Sequence, residues 1–297
     1  MERRFVQFEL WQDCFQNCKF CYNKKTMYIY NSQRQLDNIK FVNDFLDTPE
    51  ILDYNTFGLI GGEFFGGEIK SEEVLKQFLE LIDRICSFEN IKQILITSNL
   101  MYKDCSLLLN VCDKIKSKNK DLLICTSYDT IYRFNDTTLQ YWEDNMRMLS
   151  EKNIKTHVET ILTADFIDKV LKKEFNIKEF EEKYNTQIDY CAPNTGFGFS
   201  DKYEMDKVLP NFFPTRNNMI KFLQYCVANK MIKVKSLFDM EKLNSQLLFQ
   251  GVNGKFVRLE DRVKRNSIMP ADDPRKSGYI DTEIPMWKDI ELFRRLV

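Results

Sequence analysis

A chain of 297 residues in which 43% of side chains are hydrophobic and 13% aromatic carries ample material for a packed core, which excludes intrinsic disorder. Its net charge of −1 conceals an asymmetry, −6 over residues 1–200 and +5 over residues 201–297, an excess that reads as a solvated surface and leaves nucleic acid open as a partner. No stretch approaches the roughly 18 apolar residues of a spanning helix, and nine cysteines, odd in number and irregular outside one cluster, exclude a secreted disulfide framework.

The opening Met1-Glu2-Arg3-Arg4 leads into a mixed strand rather than an apolar leader, so the expectation is a cytoplasmic protein without a membrane partner. Short apolar β-branched runs predict strands at Arg4–Leu10, Thr56–Ile60, Gln93–Thr97, Leu122–Thr126, Lys155–Leu162 and Gln187–Cys191. Helical patterns alternate with them. In Ser71–Phe88, for example, Val74, Leu75, Phe78, Leu79, Ile82 and Ile85 recur at helical spacing behind Ser71 as N-cap, with Glu72 and Glu73 in the first turn. Strand and helix in alternation imply an α/β fold of the partial (β/α)6 TIM-like barrel type over residues 1–200, with an α+β extension over 201–297 acting as a cap or substrate region.

In that extension, Asn218–Met231 and Leu237–Phe249 read as helices, and Val252-Asn253-Gly254-Lys255-Phe256-Val257 reads as a hairpin. Arg258, Arg262, Lys264 and Arg265 form a basic surface. Asp272–Gly278 reads as a loop able to cover the barrel mouth.

The chemistry-bearing motifs fall at strand ends, where barrel enzymes gather their sites. The run Cys14-Phe15-Gln16-Asn17-Cys18-Lys19-Phe20-Cys21 follows the first strand. Iron-sulfur cubes and structural zinc normally take four protein ligands, so three thiolates in eight residues leave one metal position open. Gly61-Gly62-Glu63 ends the second strand, Thr97-Ser98-Asn99 the third and Ser127-Tyr128-Asp129 the fourth. A second Gly-Gly-Glu triplet, Gly66-Gly67-Glu68, sits in the following loop and reads as a turn with a solvated carboxylate.

A CxxxCxxC run with an aromatic before its last cysteine, followed some forty residues later by a strand ending in Gly-Gly-Glu, resembles the radical S-adenosylmethionine superfamily over about residues 5–195. The resemblance implies a [4Fe-4S] cluster on Cys14, Cys18 and Cys21 whose fourth iron is chelated by S-adenosyl-L-methionine. It further implies that Phe20 packs near the adenine, against the alternative of a loop aromatic buried on the barrel wall. Gly61 and Gly62 would let backbone approach the cofactor, and Glu63 would accept from its ammonium. Ser98, Asn99, Ser127 and Asp129 would bond its carboxylate and ribose. The implied activity is one-electron reductive cleavage of S-adenosylmethionine and hydrogen abstraction from an unidentified, small or nucleotide-like substrate, fed by a flavodoxin- or ferredoxin-like reductant. Phe64 stands where many members carry proline, which alters loop stiffness and removes no ligand.

His157, the sole histidine, and Glu159 share one face of the fifth strand, either as lumen groups that contact substrate or relay a proton, or as a hydrogen-bonded structural pair. The other cysteines show no ligand spacing, Cys86 and Cys125 reading as small hydrophobes, and only Cys226 lies beyond residue 200, which speaks against an auxiliary cluster. Two readings compete with the enzyme. One is a zinc or iron-sulfur binding module contacting nucleic acid through the basic third; the other is a regulator that binds the cofactor without turning it over.

Overall fold

The computed structural model describes residues 5–11, 14–16, 18, 20, 31–66, 70–191, 210–212, 214–229, 246–252 and 255–258. Cys21, Gly67, Glu68, the basic residues Arg262, Lys264 and Arg265, and the loop at 272–278 lie outside them.

Six strands alternate with helical crossovers, the last of which is a pair of helices: β1 (Phe5–Trp11), α1 (Ser32–Leu46), β2 (Thr56–Gly61), α2 (Glu72–Ser87), β3 (Gln93–Thr97), α3 (Ser106–Ser117), β4 (Asp121–Ser127), α4 (Asp136–Glu151), β5 (Lys155–Ile161), α5 (Ala164–Leu171), α6 (Ile177–Tyr184) and β6 (Ile188–Cys191). Neighbouring strands pair in parallel and in sequence order, from β1 against β2 through to β5 against β6. A doubly wound sheet reverses its strand order and places helices on both faces; an order that never reverses keeps the crossovers on one face and leaves the other as a lumen. The chain is thus a partial (β/α)6 barrel.

Burial follows this geometry. In β5, Thr156, Val158 and Thr160 are buried toward the helices, while His157 is half-buried and Glu159 exposed on the concave face. Phe8 of β1 meets Phe41 and Phe45 of α1 and stacks on Phe57 of β2, all on the helix side. The other half of the wall is an aromatic cluster in which fully buried Trp142 contacts Tyr128, Phe134, Phe180 and Tyr184.

Local signals fix the helix starts. The Ser71 side chain accepts from the Val74 N–H, as its sequence position predicts, Asn135 and Thr138 form a reciprocal capping box, and Thr163 accepts from Phe166. Asn185 ends α6 in the left-handed conformation at φ 47°.

Beyond the six units, α7 (Arg216–Ala228) packs on α5 and β6, with Phe222 against Phe166 and Tyr190. The strands β7 (Gln246–Val252) and β8 (Lys255–Arg258) form an antiparallel hairpin with Val252 opposite Lys255, as the Asn-Gly dipeptide between apolar runs predicts. Of the helix expected over Leu237–Phe249, residues 237–245 lie outside the described residues, and the expectation is corrected over 246–249, which are strand. They pair in parallel with Phe5–Phe8, on the edge of β1 that β2 leaves open. A run of Leu and Phe suits helix and buried strand alike, and the unpaired edge decides between them. Among the described residues, no helix is long and apolar enough to cross a membrane.

Candidate functional site

The carboxyl ends of β1 to β4 bring the sequence motifs to one mouth. At the end of β2, Gly61 has φ +145°, and a Cβ there would lie 1.9 Å from the Trp11 carbonyl oxygen. Glycine is required because β1 and β2 close tightly where their register shifts between Glu9 and Trp11. Gly62 N–H donates to the same Trp11 carbonyl at 2.7 Å. The close approach that these glycines permit is therefore first to the chain's own backbone. Phe64 turns inward and stacks on Trp11, with centroids 3.9 Å apart and an interplanar angle of 15°, and it also meets Phe78 of α2. Gly66 sits against Tyr102, where a Cβ would come within 2.6 Å of the ring base.

Glu63 is buried at 3% exposure and clasps two loops. Its Oε1 accepts from Phe65 N–H at 2.8 Å, and its Oε2 accepts from the Ser98 hydroxyl at 3.0 Å and from Asn99 N–H. Burial pushes its carboxyl up to about 7, against the opposing pull of those bonds. Ser98 is fully buried and also meets the Tyr102 hydroxyl at 2.9 Å, whose own ionisation burial pushes far up. Asn145 of α4 pins the same loop by donating to the Leu100 and Tyr102 carbonyls at 2.9 and 2.8 Å, which holds Leu100 at φ 56°. Ser98 thus serves the internal frame of the β3 loop.

Asn99 joins the two motifs. Its backbone N–H reaches Glu63, its side-chain Oδ1 accepts from Met101 N–H at 2.8 Å, and its Nδ2 lies 3.8 Å from Cys14 Sγ. The cysteine loop meets the β4 loop as well. Arg133 Nη1 stands 3.9 Å from Cys18 Sγ, its Nε donates to Asp129 Oδ2, and its guanidinium lies 5.1 Å from the Phe20 ring centroid. Asp129 is buried, and its Oδ1 accepts from Ile161 N–H at 3.0 Å, so both carboxylate oxygens are engaged within the protein. Phe20 stacks on Phe212, with ring centroids 5.5 Å apart.

The thiols of Cys14 and Cys18 each have a nitrogen donor within reach of sulfur, one neutral and one cationic, an environment suited to thiolate ligands. Cys21 is outside the described residues, and among those described no group of three His, Cys, Asp or Glu is placed to hold a metal ion.

Further along, Ser127 is half-buried at the end of β4, in register with Glu159 of β5, and Glu159 is in register with Asp189 of β6. His157 Nε2 lies 3.1 Å from Asp189 Oδ2, so the histidine's partner comes from the neighbouring strand. Glu159 is open to solvent, yet the protein around the concave face thins its hydration and raises its carboxyl. Asp189 and Asp129 add to that rise, while His157 and Arg133 oppose it.

Sequence reasoning passed over Arg133, Tyr102, Phe212 and Asp189. Only Asp189 carried a signal, alternating with buried Ile188 and Tyr190 in a four-residue strand. Cys86, Cys105, Cys112 and Cys226 are buried, and burial pushes their thiols up to about 11 for Cys86 and about 12 for the others, which makes them inert packing groups. Cys125 is also buried. A separate groove of about 760 Å³ runs between α6, β6 and α7, with Asn176, Thr186, Gln187 and Tyr225 on its walls. It opens at the start of β6 and shares no residue with the cysteine mouth.

Compared with known proteins, the sequence matches no family model and no characterised protein. Among solved structures, it is similar to a type I 3-dehydroquinate dehydratase from Clostridium difficile, crystallised with covalently modified comenic acid. The identity is 9%, the TM-score 0.35, and the match covers 76% of this chain and 93% of the other. A likeness that distant bears on neither substrate nor chemistry.

Proposed function

We propose that this chain is a radical S-adenosylmethionine enzyme, with Cys14, Cys18 and Cys21 as the protein ligands of a [4Fe-4S] cluster. One observation carries the reading: Asn99 contacts Glu63 through its backbone and Cys14 through its side chain, so the two motifs that make the resemblance share one mouth although 49 positions separate Cys14 from Glu63. The donor set fits the group, since thiolates suit iron-sulfur clusters and N–H groups aimed at sulfur stabilise the ligated form. When bound, the cluster would supply the electron that cleaves S-adenosylmethionine and so provide a radical able to take hydrogen from the substrate.

The chain's own residues divide the remaining work. Glu63, Ser98 and Asn99 lock the β2 and β3 loops so that the cysteine loop has a rigid seat. Trp11, Phe64 and Phe78 pack together where the end of β1 and the β2 loop meet α2, which stiffens the loop that carries Glu63. Glu63 receives three protein donors and, with about four acceptor sites on its carboxylate, keeps room for one from the cofactor, while Ser127, half-buried on the concave face, is a further candidate contact. Glu159, His157 and Asp189 stand together on the concave face of β5 and β6, where a small or nucleotide-like substrate with hydrogen-bonding groups would lie. A flavodoxin- or ferredoxin-like donor would supply electrons.

The test is anaerobic reconstitution followed by iron, sulfide and zinc analysis of the parent chain and of Cys14→Ala, Cys18→Ala and Cys21→Ala. About four irons and four sulfides per chain, lost in each variant, are expected. One tightly held zinc with no sulfide would overturn the reading in favour of a binding module.

A further inference from the structure

We propose that Arg133 is a positioning residue that sets how readily the metal centre held by Cys18 accepts an electron, with Asp129 as its anchor; this rests on the reading of Cys18 as an iron ligand. Three contacts among the described residues hold the guanidinium. Its Nε donates to Asp129, its Nη1 faces Cys18 Sγ at 3.9 Å, and its plane lies 5.1 Å from the Phe20 ring centroid. Little of this assembly meets water, with the Arg133 side chain 13% exposed and that of Asp129 1%. Asp129 is itself held by the Ile161 N–H at 3.0 Å. A guanidinium presents five donors in a rigid plane, so the bond to the carboxylate also fixes where the sulfur-facing N–H points, whereas an ammonium keeps the charge with less geometric constraint.

Of the described contacts to the two cysteines of the run that are placed, the one at Cys14 is the neutral amide of Asn99 at 3.8 Å and the one at Cys18 is the Arg133 guanidinium at 3.9 Å. Reduction adds one negative charge to the centre without requiring a proton. A cation beside one ligand sulfur, poorly screened by water, favours the reduced state more than the oxidised one, and hydrogen bonds to sulfur act in the same direction. The sequence separation of 115 residues between these partners means that the β4 loop, which reaches the lumen, is tied directly to the metal loop.

The experiment measures the midpoint potential of the reconstituted, iron-loaded full chain by EPR-monitored redox titration with dithionite, without S-adenosylmethionine, so that the readout is independent of turnover. Replacing Arg133 by Gln or by Leu is expected to lower the ratio of reduced to oxidised centre roughly tenfold at fixed potential, a shift of about 59 mV for a one-electron couple. Arg133→Lys is expected to recover most of that shift. Lys172→Gln removes an exposed cation that pairs with Asp168 and should leave the potential unchanged.

An unchanged potential in iron-loaded Arg133→Gln or Arg133→Leu overturns this inference and leaves the proposed function standing. So does an equal shift in Lys172→Gln, which would mark a general charge effect. If neither neutral variant holds iron, Arg133 is a structural brace and the inference is again overturned. If the parent chain holds no iron-sulfur centre, this inference and the proposed function fall together.

Discussion

Two carboxylates at the carboxyl ends of the barrel strands, Glu63 after β2 and Glu159 on β5, are both raised by loss of hydration, yet their surroundings suit them to opposite tasks. Glu63 is buried and bonded to Phe65, Ser98 and Asn99, so it holds loops together. Glu159 stands open on the concave face among titratable neighbours from β5, the β4 loop and β6, so it is available to something that enters the lumen. On the proposed reading, the β1–β3 ends act as a clasp for the cysteine loop, braced from the β4 loop by Arg133, and β5 and β6 present groups that would face a substrate.

That division predicts that substitutions on the clasp side cost stability first. Gly61→Ala should have the largest effect, because its new Cβ would collide with the Trp11 backbone at 1.9 Å and no side-chain motion can relieve the contact. A loss of about 4 kcal/mol or more in urea unfolding is expected. A loss below about 1 kcal/mol would show that the β1–β2 closure is looser than described.

Glu63 offers a pH test with a defined sign. The folded chain holds its proton up to about 7, whereas the ordinary value is 4.5, so between those values the folded state binds more protons than the unfolded one. Stability from this group is complete below pH 4.5 and falls as pH rises toward 7. Between pH 5 and 7.5 the parent chain should lose on the order of 2 kcal/mol relative to Glu63→Gln, which cannot titrate. Parallel pH profiles for the two proteins would contradict the burial assigned to this carboxyl.

On the lumen side the expectation reverses. Glu159→Gln should leave unfolding free energy within about 0.5 kcal/mol, since the side chain is solvent-exposed. If it contacts substrate, substrate-dependent product formation should fall by roughly tenfold or more. A stability loss comparable to that at Gly61 would erase the distinction between the two sides. The smallest effect is expected for Lys40→Ala, whose ion pair with Asp44 is exposed on α1 and worth well under about 1 kcal/mol.

Much of the barrel was legible because each strand is a short β-branched run with a helix-starting residue after it. Gln93–Thr97 is reproduced residue for residue, and Ser71 caps the helix it was expected to cap. The β7 strand was not legible, because its Leu and Phe positions fit either periodicity and only the free edge of β1 makes it a strand. At the site, cysteine spacing and Gly-Gly-Glu point to a chemistry, but not to which atoms Glu63 would bond. Its partners include two backbone N–H groups, and every residue but proline offers one of those. Arg133 was invisible for a related reason: nothing at position 133 indicates a sulfur 115 residues earlier.

We propose that the mouth shared by the cysteine loop and Glu63 performs reductive cleavage of S-adenosylmethionine. The most direct test is to incubate the anaerobically reconstituted, dithionite-reduced chain with S-adenosylmethionine and quantify 5′-deoxyadenosine and methionine by liquid chromatography. The account predicts equimolar formation of both, abolished in Cys18→Ala. An iron-loaded, fully reduced protein that forms neither, under several reductants and candidate substrates, would contradict it.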